Sequence, residues 1–227
     1  MKNTTAPKSQ LIPVHKTYPL RIFSSALFPP VQYFVHLEAA SEACIEVFDR
    51  YERQSYRNRY LLYGANGPLT LSVPVVKPKG KQVPMKDVRL SYDTPWHQIH
   101  WKSIEAAYNS SPYYLYYKDE LEPLFSGKWK YLLDLNQKAL ELTMAACDIA
   151  TPLRHTTQYH TEYPNALDLR NQIHPKLDFK KDCFFIPQSY RQVFGWDKAF
   201  VPNLSILDLL FNKGPESLLV LRDSLLT

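Results

Sequence analysis

Residues 44–74 read CIEVFDRYERQSYRNRYLLYGANGPLTLSVP, and within 11 of those positions eight side chains can do polar chemistry: Asp49, Arg50, Glu52, Arg53, Gln54, Arg57, Asn58 and Arg59. A carboxylate can take a proton from an attacking amine or hydroxyl. A guanidinium can hold a carboxylate or phosphate through two parallel N–H bonds. If residues 57–59 are extended, successive side chains alternate, which puts Arg57 and Arg59 on one face and Asn58 on the other. Two arginines so placed form a clamp for a small anionic ligand. The competing reading pairs the same arginines with Asp49, Glu52 or Asp87 in a structural network.

Other groups carry weaker signals. His97 and His100 stand at i and i+3 in WHQIHW, a spacing that aims two imidazoles toward one metal ion or supplies an acid/base pair. No third ligand and no HExxH pattern accompany them. Trp96 and Trp101 beside them favour packed histidines, so no metal and no cofactor are expected. His100 is kept as a candidate proton acceptor, and His97, with Tyr33, as a candidate substrate-binding residue. Asp168, Arg170, Asn171 and His174 form a second polar group, and Gln188, Tyr190, Arg191, Gln192 and Asp197 a third. Asp208 lies inside NLSILDLLF, where an acid is costly unless paired or functional; a salt bridge or a helix-dipole contact is expected for it. With only 6 glycines, the chain shows no nucleophile elbow, phosphate loop or dinucleotide fingerprint.

The elements that must position these groups are readable in outline. LRIFS at 20–24 predicts a strand, VQYFVHLEAA after Pro29-Pro30 a helix, and 42–49 a second strand, which together form a parallel β-α-β crossover. In such a unit ligands sit beyond the carboxyl ends of the strands, here around Ser24, Ser25 and Asp49. The two prolines remove donors from the helix start and blunt any phosphate site there. Residues 60–63 and 69–73 flank GANG and predict a hairpin, with Leu69, Leu71 and Val73 on one buried face. Residues 76–84 are a polar loop that either lids the site or is plain surface. From Thr94, a predicted cap, the pattern turns helical at 94–109, 111–125 and 130–147. A late strand is expected at 154–163, an irregular stretch at 187–196, and helices at 203–211 and after Pro215. The expected fold class is α/β: an N-terminal β-α-β unit and a β-hairpin forming a mixed sheet, followed by a predominantly helical C-terminal half. Residues 1–10 are expected as a loose tail and 11–227 as a single domain.

At 227 residues, with 45% hydrophobic and 22% charged residues, the chain has ordinary globular composition, except for 16 tyrosines and 18 prolines. Its net charge of +5 is dispersed through loops such as that of Lys77, Lys79, Lys81 and Lys86, which argues against nucleic-acid binding. Cys44, Cys147 and Cys183 read as reduced core residues. No run approaches the roughly 18 apolar residues of a membrane span, and the first residues lack a secretory pattern. A cytoplasmic protein is expected.

FPPVQYF at 28–34, the strand ending at Asp49, Gln54 followed by RNR at 57–59, PLTLSVPV at 68–75, WHQIHW, AYNSSPYY, LLDLN and NLSILDLLFNKGPE occur in this order. The combination resembles the WbqC-like family over essentially everything after residue 20. The resemblance implies an association with bacterial surface-polysaccharide (O-antigen-like) gene clusters and a transferase moving an amino acid such as glycine, or another acyl group, onto a sugar or sugar-nucleotide. Under it Arg57 and Arg59 hold the phosphate of a sugar-nucleotide or activated donor, Gln54 and Asn58 orient it, and Asp49 or His100 takes the proton. The rival reading is a non-catalytic scaffold that recruits a glycan-pathway enzyme, or a second copy of itself, through the tyrosine-rich helices at 108–117.

Overall fold

In the computed structural model, residues 18–77, 83–194 and 199–226 are described. The expected tail at 1–10, the middle of the 76–84 loop, the end of the 187–196 stretch, Lys79, Lys81 and Asp197 lie outside them.

The class expected from the sequence is the one observed: an N-terminal parallel sheet with a hairpin, then a largely helical region. Strand β1 (Leu20–Ser24) leads through helix α1 (Val31–Glu38) to strand β2 (Glu42–Glu46), which pairs parallel to β1 with Ile22 opposite Cys44. Ile22, Phe23, Ala43 and Ile45 are buried, as befits parallel strands covered on both faces. Every residue of α1 from Val31 to Leu37 is buried. Its first turn is closed internally, because Val31 N–H donates to Leu204 O (3.0 Å) and Gln32 N–H to Asn203 Oδ1 (2.9 Å). The helix start is therefore no anion site, in line with the two prolines before it.

Strand β3 (Arg59–Gly64) and strand β4 (Gly67–Ser72) form the hairpin, with Gly67 at φ 106°, a conformation that side-chain-bearing residues avoid. The hairpin is a two-stranded sheet of its own and does not extend the β-α-β unit into a mixed sheet. Both edges of that unit are already occupied: β5 (Leu153–His155) pairs with β2, and β6 (Leu167–Asp168) pairs with β1, giving the all-parallel order β5-β2-β1-β6. The expected late strand shortens to three residues. Leu71 and Val73 are buried, whereas Leu69 near the hairpin tip is 37% exposed, so the expected apolar face is incomplete there.

The helical region comprises α2 (Trp96–Tyr108), α3 (Tyr114–Leu121), α4 (Leu132–Ala146), α5 (Ile206–Lys213) and α6 (Ser217–Asp223), with a 3-10 turn at Glu122–Phe125. Thr94 does not cap α2 with its side chain; Pro95 takes the capping position. Helix α5 starts at 206 rather than 203 because Ser205 caps it, accepting from Leu207 N–H (3.3 Å) and donating to Phe28 O (2.8 Å). At Gly214, φ is 53° and a Cβ would fall 2.4 Å from the Tyr113 ring, so glycine is required. The three cysteines are free; Cys147 is buried, Cys44 half-buried, and Cys183 is exposed rather than a core residue. Among the described residues no helix is long and apolar enough to cross a membrane.

Candidate functional site

The carboxyl ends of β1, β2 and β6 open onto a hollow of about 460 Å³ lined by Phe48, Asp49, Arg50, Glu52, Arg57, Tyr159, Arg170 and Asn171. Parallel strands leave unfilled space at this end, and ligands of α/β proteins settle there. Asp49 is held in the wall by its backbone: its carbonyl accepts from Met85 N–H (2.8 Å), and the Val47 carbonyl from Lys86 N–H (2.9 Å). The residue is 7% exposed, and Oδ2 is ion-paired with Nη2 of Arg57. The same Nη2 donates to Ser24 Oγ (3.0 Å), and Ser24 Oγ donates to Arg170 O (3.1 Å), so the ends of all three strands are tied together. Oδ1 of Asp49 and Nε of Arg57 are buried without hydrogen-bond partners. Burial pushes the Asp49 carboxyl above its ordinary range, and the Arg57 charge only partly offsets it.

Arg170 is the second pillar. Its guanidinium has five N–H groups, and all meet acceptors. Nε reaches Asp168 Oδ1 (2.9 Å) and Oδ2 (3.1 Å); Nη1 reaches Glu46 Oε2 (3.2 Å) and His160 O (2.8 Å); Nη2 reaches Asp168 Oδ2 (2.5 Å) and Thr161 O (3.2 Å). Glu46 is fully buried and also accepts from Phe48 N–H (2.9 Å), Thr156 Oγ1 (2.9 Å) and Tyr163 OH (3.1 Å). The hydrogen bonds that Arg170 donates to Asp168, ahead of the cost of burial, hold the Arg170 proton more firmly than usual. The two backbone carbonyls that Arg170 grips anchor the segment carrying Tyr159, whose ring centroid lies 5.4 Å from the guanidinium carbon.

Of the polar stretch singled out in the sequence, Asp49, Arg50, Glu52 and Arg57 meet at this hollow. Tyr33 supports it from behind, donating from its hydroxyl to Ser24 O (3.1 Å). Arg59 does not line it, and no two-arginine clamp forms, because residues 56–58 are a turn rather than extended and only Arg57 points to Asp49. Arg59 makes no ion pair among the described residues, and Asn58 donates from Nδ2 to Val73 O (2.8 Å), bracing the hairpin. Gln54 is exposed on the loop with φ 60°.

His100 is elsewhere. It is 3% exposed in α2, its Nδ1 is 3.0 Å from Tyr60 OH, and it packs against Trp96 and Phe125. Burial lowers its pKa to about 4, so it is a neutral core residue at ordinary pH. His97 packs edge-on against Tyr92 and Trp96, also away from the hollow. Among the described residues no three His, Cys, Asp or Glu side chains converge to hold a metal ion.

Sequence reasoning placed Arg170 and Asn171 in a separate polar group and passed over Glu46, Phe48 and Tyr159. The signal available was an acid and an arginine two apart, in DLRN, where the acid ends a short strand.

The WbqC-like protein family model matches residues 25–181 and 176–220. The chain is also 26% identical over 221 residues to the uncharacterized protein Rv1507c of Mycobacterium tuberculosis (strain ATCC 25618 / H37Rv), covering 86% of this chain and 94% of that protein. No solved structure matches.

Proposed function

The chain belongs to the WbqC-like protein family, and we propose that it is a group-transfer enzyme acting on a sugar or sugar-nucleotide in bacterial surface-polysaccharide assembly. In this reading a hydroxyl or amine of the sugar attacks the carbonyl carbon of an activated aminoacyl or acyl donor. The new C–O or C–N bond forms as the bond to the leaving group breaks, and the leaving group departs with the electron pair. Asp49 takes the proton through Oδ1 and returns it to the leaving group.

The observation that carries the proposal is the state of Asp49. One carboxylate oxygen is fixed by Arg57, and the other, buried in the wall of the hollow, has no partner. A carboxyl whose pKa burial has raised is also better matched to proton transfer near neutral pH than an ordinary one. His100 has no part in this chemistry, since Tyr60 and the surrounding aromatic rings enclose it.

The test is mass spectrometry of nucleotide-sugars and free sugars incubated with acyl and aminoacyl donors and the protein. An acyl mass increment on a sugar with the wild-type protein, lost with Asp49→Asn, supports the proposal. A product formed equally well by Asp49→Asn removes Asp49 from the reaction.

A second reading has its own observation. Helix α3 exposes Leu115 (70%) and Tyr116 (72%), the kind of apolar surface by which a scaffold holds a partner enzyme. Leu115→Glu with Tyr116→Glu would then break that association while leaving the hollow intact.

A further inference from the structure

The hydrogen-bonding state of the hollow decides which part of a ligand it takes. Three guanidiniums line it, those of Arg50, Arg57 and Arg170; the donors of Arg170 are all committed to the protein, while Arg57 commits Nη2 and keeps Nε unpartnered in the wall. Arg170 has no N–H left over, as every one meets Asp168, Glu46 or a backbone carbonyl. Nη2 of Arg57 serves Ser24 and Asp49, and its Nη1 lies 3.6 Å from Glu52. Two carboxylates, Asp49 and Glu52, share the lining, and two more, Glu46 and Asp168, sit directly on Arg170. A pyrophosphate placed here faces the carboxylates of Asp49 and Glu52, and Arg170, held by Glu46 and Asp168, has no donor to offer it. A group that brings its own donors meets Asp49 Oδ1, a buried acceptor with nothing bound to it.

The same hollow has flat apolar walls. Phe48 and Tyr159 both line it. Tyr159 is 52% exposed even though Arg170 packs on its ring, so much of the phenol is free for a ligand. The ring is not a loosely held surface residue, since the backbone on either side of it is tied down through His160 O to Arg170 and through Thr156 to Glu46 and Ile45. A carboxylate acceptor beside a fixed aromatic face suits a saturated ring with hydroxyl or amine groups on its edge and C–H bonds on its faces.

Building on the transfer reading above, we infer that the hollow takes the sugar ring of the acceptor, stacked on Tyr159 with an edge hydroxyl or amine donating to Asp49, and that any phosphates of that acceptor stay outside. Tyr159 is thus the specificity-determining residue of the site. This replaces the two-arginine phosphate clamp expected from RNR, which the chain does not build.

The experiment is ligand-observed NMR and calorimetry with no donor present, using glucose, glucosamine and N-acetylglucosamine at millimolar concentration, with inorganic pyrophosphate and UDP as the anionic probes. Saturable binding of at least one monosaccharide is expected, weakened about tenfold or more by Tyr159→Ala and retained by Tyr159→Phe. Pyrophosphate and UDP are expected neither to bind saturably nor to compete. The inference is overturned if no monosaccharide binds, if Tyr159→Ala binds like wild type, or if pyrophosphate displaces the sugar. Binding is read without turnover, so the two readings fail separately: a protein that binds sugar through Tyr159 but transfers nothing refutes the transfer reading alone.

Discussion

Asp49 and Asp208 are both buried acids whose carboxyls burial pushes above the ordinary range, yet they are built for different ends. Asp208 stands in the first turn of α5, the helix-dipole position that was one of the two contacts expected for it; the other, a salt bridge, does not form among the described residues. Instead Oδ1 accepts from Tyr108 OH (3.0 Å), and Oδ2 accepts from Tyr190 OH (2.7 Å) and Gln192 Nε2 (2.9 Å). Both oxygens are occupied, and it lines no part of the hollow. Asp49 has a cation on one oxygen and nothing on the other. A buried polar atom left unpaired costs stability, so the Asp208 arrangement is the one that holds a fold together, and the Asp49 arrangement is the one that, in the proposed transfer reading, is left for a ligand. Equal burial thus says little by itself. The vacancy on the second oxygen separates the two roles.

The largest effect that follows is on rate. Asp49→Asn keeps an acceptor for Arg57 but cannot take a proton, and transfer should fall about a thousandfold, equivalent to about 4 kcal/mol of barrier. Because burial already disfavours the charged carboxyl, its unfolding free energy should stay within about 1 kcal/mol of wild type. A variant that loses several kcal/mol of stability in urea would make Asp49 a structural acid like Asp208 and dissolve the comparison.

Next comes the converse. Asp208→Ala strands two phenols and one amide in the interior, and at ordinary costs for unpaired buried groups it should lose about 3 kcal/mol of stability. Urea unfolding measures this. Sugar binding in the hollow, measured at a temperature where the variant is folded, should not change. Unaltered stability would show that the Tyr108, Tyr190 and Gln192 contacts are dispensable.

How much of this contrast was legible beforehand depends on how local each signal is. Strand β1 coincides with its expected span, and the hairpin follows from Asn66-Gly67, because alternation and turn chemistry act over a few residues. The expected ligand position beyond β1 and β2 follows from the β-α-β pattern in the same way. Glu46 and Arg170, by contrast, are 124 positions apart, and β6, which brings them together, has two residues, too few to show any periodicity. Arg57 and Arg59 misled because alternation presumes extended backbone, and residues 56–58 turn instead. His100 is packed, as Trp96 beside it in WHQIHW already suggested; its candidate role as proton acceptor came from residue type alone, and Tyr60 and Phe125, which complete its enclosure, come from distant points in the chain. The phenol and amide partners of Asp208 are equally dispersed, so the sequence offered a helix-dipole contact or a salt bridge for it and not these donors.

The smallest effect is the pH dependence of stability, and its sign sharpens the comparison further. A carboxyl whose pKa is higher in the folded than in the unfolded chain binds its proton more tightly when folded. Its contribution is therefore complete below the ordinary carboxylate value of about 4 and is lost as pH rises through the folded value. Asn at position 208 has no proton to lose. The stability advantage of wild type over Asp208→Asn should then be greatest at the acid end and shrink as pH rises, as read by urea unfolding of both proteins across the same pH series. Position 49 should show the same direction, opposed by the positive charge of Arg57, which favours the ionised form and has no counterpart around Asp208. If the advantage at position 208 instead grows with pH, the three donors stabilise the ionised acid by more than burial penalises it, and the two acids differ in their charge as well as in their vacancy.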